Sequence, residues 1–249
     1  MNQDIKNGSV EMLRSEKIWK IPEWPCPTCY TGVLEEEAIH TVESMQSKTN
    51  RRDESWEPSW INGSAMGSLK CNRKSCGESI CFVGDYRVIE HEYFDEVAGH
   101  HMYCDDVISP QFFYPPIPII RVHSGYPKEI KDELGKAFSL FWNETSSCAN
   151  KIRICVERIL TDLKIPRYTK GKKYLALHHR IEKLDSKLDA EKKALMALKI
   201  IGNPGSHGQP THFMDLINAF EILEHVLEKI YIKDEKRIGK VIRKYLKPK

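Results

Sequence analysis

Long apolar runs are missing from this sequence of 249 residues. Nothing in it approaches the ~20 consecutive apolar residues that a membrane-spanning helix needs. The first residues, Met1-Asn2-Gln3-Asp4-Ile5-Lys6, contain no apolar core of the kind a secretory leader carries. The expectation is a cytoplasmic protein with no membrane partner. Helix-period patterning is also missing from the first half and begins only near residue 128. Acidic charge runs short in the second half. Residues 1–127 hold 12 Lys/Arg against 19 Asp/Glu, a net of −7, whereas residues 128–249 hold 26 against 16, a net of +10. The second half is therefore the candidate for an anionic partner such as RNA or another nucleic acid.

What the chain does have is cysteine, eight in all. In a cytoplasmic protein these point to metal ligands or buried thiols rather than disulfides. Cys26-Pro27-Thr28-Cys29 is a tight knuckle whose two thiolates reach one tetrahedral ion. Cys71 and Cys76, separated by four residues, form a second. Gly77 then supplies the residue able to take a positive φ. Gly32-Val33-Leu34 and Ser79–Gly84 read as short strands beside the knuckles, as in a zinc ribbon with a long insertion. The expected cofactor is one structural zinc on Cys26, Cys29, Cys71 and Cys76, with Lys70, Arg73 and Lys74 offering charge to the thiolates. Cys81, Cys104, His100 and His101 are spare donors with no assigned role. Cys148 and Cys155, seven apart on an apolar stripe, read as core thiols.

The expected division is an arm over 1–19, the cysteine module over 20–108, a proline- and aromatic-rich connector over 109–127, and a helical region over 128–249. The connector is expected to be extended. Five helices follow by periodicity: 127–142 with Ile130, Leu134, Phe138 and Phe141; from Thr145 to before Pro166; 174–188, with His178 on its stripe; 189–202; and one from Thr211 with Phe220 and Leu223 on a broad apolar face. Arg153 and Glu157 sit at i,i+4 beside the second stripe. Gly202, Pro204 and Gly205 are expected to end the fourth helix, leaving Asn203, Ser206 and His207 on a kinked connection. The tail 233–249, with eight Lys/Arg and two acidic residues, reads as a basic amphipathic helix.

Tyr114-Pro115-Pro116, Ala149-Asn150-Lys151-Ile152-Arg153-Ile154-Cys155-Val156-Glu157, Leu198–His207 and Asp215–Tyr231 together resemble the HEPN-like domain of unknown function found in many bacterial proteins and in restriction and other defence loci. The resemblance runs over residues 110–232. Members of that family often carry a zinc ribbon at their N-terminal end. The fold class so expected is α+β, mainly α: a small four-cysteine zinc-ribbon-like module followed by an antiparallel HEPN-like helical bundle. The resemblance further implies a homodimer, a defence-system partner protein, and, in the active ribonucleases, metal-independent RNA cleavage. There a helix-end histidine acts as acid and base, and an arginine a short distance before it steadies phosphate charge. His207 and Asn203 match that pattern. The positions where the arginine would stand hold Gly202, Ile201 and Ile200. The candidate site is His207 and Asn203 from this pattern together with the Arg153 and Glu157 pair, with Arg153 as a substitute cation from a neighbouring helix. The expected activity is binding of RNA, a nucleotide or a partner protein without cutting, the alternatives being an active ribonuclease or toxin and a scaffold dimer.

Overall fold

The computed structural model describes residues 24–95, 99–206 and 211–232, with residues 95 and 204–206 described by backbone alone. The chain divides into two compact units, residues 1–117 and 118–249.

The first unit is a five-stranded antiparallel sheet in simple meander order. Its strands are β1 (Trp24–Pro25), β2 (Val33–Glu43), β3 (Asn62–Cys71), β4 (Ser79–Asp95) and β5 (Gly99–Tyr114). A short helix α1 (Met45–Asn50) and a 3-10 turn (Pro58–Trp60) fill the β2–β3 connection. Ser44 caps α1 by accepting from the Ser47 amide. Alternation along each strand sends one set of side chains inward. Trp24, Leu34, Ala65, Leu69, Ile80, Phe82 and Phe113 are buried and lie on one face by register. On the opposite face, Met66, Val83 and Phe112 follow one another across three strands and are exposed.

This sheet overturns the expected fold class. The cysteine region is no small ribbon followed by a mainly helical chain. Its strands reach 17 residues in β4 and 16 in β5. The presumed insertion between the knuckles is itself two paired strands, β2 and β3. The outward positions of β2 are polar, and β3 is built from small residues, so neither shows the apolar content usual for a strand. Residues 109–114, placed in the connector, are the last residues of β5 and pair with β4.

The second unit is helical: α2 (Lys128–Leu140), α3 (Thr145–Asp162), α4 (Leu177–Glu182), α5 (Asp189–Ser206) and α6 (Phe213–Tyr231), with a 3-10 turn over Ser186–Leu188. Helix α3 packs against α2, α5 and α6. Ile130, Leu134, Phe138, Ile152, Val156, Leu195, Leu198, Phe220 and Leu223 fill the core. Cys148 and Cys155 are fully buried there, and burial pushes both thiols up. They are core thiols, as their stripe indicated. The expected third helix is shorter, only α4 and the 3-10 turn. The expected fourth is longer, for α5 runs on through Gly202 and Pro204 to Ser206. The tail 233–249 lies outside the described residues, as do residues 1–23.

Among the described residues, two charged side chains are buried in this unit. Glu133 is approached by Lys136, Lys151 and Arg158 at 3.2, 3.6 and 3.5 Å. Burial alone would raise its carboxyl; the three cations outweigh that and hold it below the usual range. Arg180 is completely buried and donates to Thr161 Oγ1 at 2.9 Å and to the Ile165 carbonyl at 3.1 Å. It closes the segment following α3, where helix geometry has ended and backbone carbonyls need partners. Arg180→Leu is expected to cost about 1–3 kcal/mol, because it removes the donor to Thr161 Oγ1 and to the part-buried Ile165 carbonyl. Urea unfolding of the variant against wild type measures this.

Candidate metal centre

Four cysteines from two loops meet at one end of the sheet. The first loop leaves β1 and turns back at once. Tyr30 donates its amide to the Cys26 carbonyl at 2.9 Å and takes φ 54, and the Cys26 amide donates to the Gly32 carbonyl at 2.8 Å. The second loop joins β3 to β4. The amides of Cys76 and Gly77 both donate to the Arg73 carbonyl, at 2.9 and 3.0 Å. Gly77 has φ 65, the conformation anticipated for it. Thr28 Oγ1 ties the two loops by donating to Glu78 at 2.5 Å.

Cys26, Cys29, Cys71 and Cys76 bring their sulfurs within 4.8 Å of one another. Cys26 and Cys76 are 3.6 Å apart, and Cys29 and Cys71 are 3.7 Å apart. A disulfide would need about 2.0 Å. Four sulfurs at about 2.3 Å from a central tetrahedral ion are about 3.8 Å from each other. The measured separations fit that geometry, so the cluster is close enough to hold a metal ion. All four positions of a tetrahedron would be filled by protein, which is the arrangement of a structural rather than a catalytic centre.

Backbone amides face the sulfurs. The Gly32 amide donates to Cys29 Sγ at 3.3 Å. Hydrogen bonding by the Thr31 amide is the main cause that brings the Cys29 thiol down to about 5, a thiolate at neutral pH. Desolvation by burial raises Cys26 to about 12 and also raises Cys71. Two of the three basic side chains expected to serve the thiolates, Lys70 and Arg73, have other partners. Lys70 pairs with Glu37 at 2.9 Å, and Arg73 donates to Thr31 Oγ1.

Sequence reasoning overlooked Gly32. A Cβ there would lie 2.5 Å from Cys71 Sγ and 3.0 Å from Arg73 Cγ. Gly32→Ala is therefore expected to weaken metal retention by about 10–100-fold, the scale typical of a disturbed outer shell. Competition with a chromogenic chelator would read the change.

The helical candidates are placed differently. Arg153 Nη1 lies 3.8 Å from Glu157 Oε1, and Arg167 reaches the other Glu157 oxygen at 3.4 Å. Gly202 is buried against this turn of α3; a Cβ on it would lie 2.9 Å from Arg153 Cβ and 3.1 Å from the Ala149 carbonyl. Asn203 follows, partly buried. The structure thus brings Arg153 beside the residue preceding Asn203. His207 lies outside the described residues. Cys81, Cys104, His100 and His101 join no group of three metal donors among the described residues. A trio that sequence reasoning did not combine, His178, His179 and Glu182, does form such a group. Its signal was there, two histidines and a carboxylate within one helical turn.

Two domains of unknown function are found in this chain. The "Domain of unknown function (DUF8608)" matches residues 15–113, and the "Domain of unknown function (DUF4145)" matches residues 135–246. The DUF8608 match contains all four clustered cysteines; the DUF4145 match contains Arg153, Glu157, Asn203 and His207. No curated protein and no solved structure matches the chain. Among the described residues, no helix is long and apolar enough to cross a membrane.

Proposed function

We propose that this protein binds RNA through its helical unit without cutting it, and that its sheet unit is held together by a structural zinc ion. The carrying observation for the first part is the packing of Gly202. In the HEPN-like pattern the catalytic arginine would stand at this position or shortly before it. Here the position is buried against Ala149 and Arg153, with no room for a side chain. A phosphoryl transition state needs a cation at the reacting centre. The net charge of +10 over residues 128–249 supports an anionic partner all the same.

Zinc is the metal that four thiolates at tetrahedral spacing suit, because it needs no redox partner and keeps no open position here. Metal analysis of the purified protein is expected to find about one zinc per chain. Filter binding of a labelled RNA tests the partner. Affinity should fall about 10³-fold or more between 50 and 200 mM salt if six or more phosphates are contacted. Absence of binding at low salt would remove the RNA reading in favour of a protein scaffold.

One observation favours a second reading, an active ribonuclease. Arg153 lies against Gly202, the residue before Asn203, and so brings a cation of α3 to this turn of α5. Metal-independent cleavage of RNA by wild type, lost in His207→Ala, would establish that reading and exclude the first.

A further inference from the structure

We propose a second metal site, separate from the four cysteines, formed by His178, His179 and Glu182 on α4 and taking a borderline divalent ion of the Zn2+ class. The three side chains occupy one turn. Residues at i+3 and i+4 face one another on a helix, so Glu182 lies across from both histidines. His178 Nε2 is 3.4 Å from Glu182 Oε1, and His179 Nδ1 is 3.2 Å from Glu182 Oε2. One donor atom from each residue lies within 4.8 Å of the others.

A second element adds to this group. Met196 on α5 places its Sδ 3.2 Å from His178 Nδ1. This contact fixes the His178 ring from the side away from the carboxylate, and it puts a soft thioether donor next to the trio. Lys192, the nearby cation, is engaged by the Glu182 main-chain carbonyl at 2.9 Å rather than by the carboxylate. The side chains are 45%, 63% and 50% exposed, which leaves a path for an ion to enter.

The donor set decides the ion. Two neutral imidazoles and one carboxylate suit zinc and its neighbours, and are poor for Mg2+ or Ca2+, which require oxygen. Three protein donors leave a coordination position open to water or to an anionic ligand, unlike the closed cysteine centre.

Calorimetric titration of the zinc-loaded full-length protein with ZnCl2 tests the site. One further equivalent is expected to bind at neutral pH, and an excess of Mg2+ should not displace it. The double variant His178→Ala/His179→Ala should lose this equivalent, and Glu182→Gln should weaken it at least 10-fold. Both should keep the tightly held cysteine-bound equivalent after dialysis. Equal thermal unfolding of wild type and variants before zinc addition would show that the fold is intact. Absence of a further equivalent in wild type would overturn the site, as would a further equivalent that persists in the double variant.

Discussion

Removing the metal from the four-cysteine cluster is expected to unfold the sheet unit and leave the helical unit folded. The same result is expected from the double substitution Cys26→Ser/Cys71→Ser. Strand β1 is only two residues long, and it meets β2 through just Trp24 and Pro25. What fixes it is the turn that begins at Cys26. Cys26 is completely buried and Cys71 nearly so. Without a cation, burial holds both as neutral thiols, and the sulfurs of the cluster no longer attract a common partner. Apparent binding energies of structural zinc are about 10–16 kcal/mol at pH 7, at or above the whole stability of an ordinary domain. Loss of the proposed ion is therefore expected to cost the sheet unit its fold. Circular dichroism with chelator should show the strand signal vanish while helix remains, since α2, α3, α5 and α6 have a core of their own in Leu134, Ile152, Leu198 and Phe220. Acid should act like chelator, because protons compete for thiolates and release the ion. A sheet signal unchanged by chelator and by the double substitution would show that the cluster does not support the fold.

The cysteines were legible in the sequence because their chemistry is local: two pairs, each at a spacing that one ion imposes. Cys148 and Cys155 were legible for a similar reason, since seven residues are two turns of helix. The sheet was not. Glu35, Glu36 and Glu37 lie one after another in β2, an acidic patch with no apolar alternation to mark a strand. Their run is tolerated because a bulge falls between Glu36 and Ala38 and the outer face of the strand meets solvent. In β3, Gly63 and Gly67 have no strand propensity of their own, yet a Cβ on either would run into the carbonyls of β2, at Val42 and Ala38. Both failures share a cause. A sheet is stabilised by pairings distant in sequence, which local composition does not record.

The same cause governs Gly202, and it yields the second large prediction. By local rules Gly202, Pro204 and Gly205 should end a helix. Helix α5 continues past all three because tertiary packing outweighs the propensity cost of about 1 kcal/mol per glycine. Pro204 lies within the last turn, and the helix ends two residues beyond it. Gly202 lies directly against Ala149 and Arg153 of α3, so absence of a side chain is what the contact requires. Gly202→Arg, which places an arginine where the proposed HEPN-like reading would need one, is accordingly expected to destabilise the helical unit by about 5 kcal/mol or more. Even the first added carbon meets Arg153 Cβ at 2.9 Å. Beyond it, a guanidinium would be forced between two packed helices next to Arg153, a like charge. Glu157 offers no rescue, since Arg153 and Arg167 already share its carboxylate. Gly202→Ala should show the steric part alone, at about 1–3 kcal/mol. Thermal unfolding of the two variants separates the contributions. If Gly202→Arg instead folds as well as wild type and cuts RNA, then the α3–α5 contact is not the barrier to catalysis, and the non-cutting reading loses its structural basis.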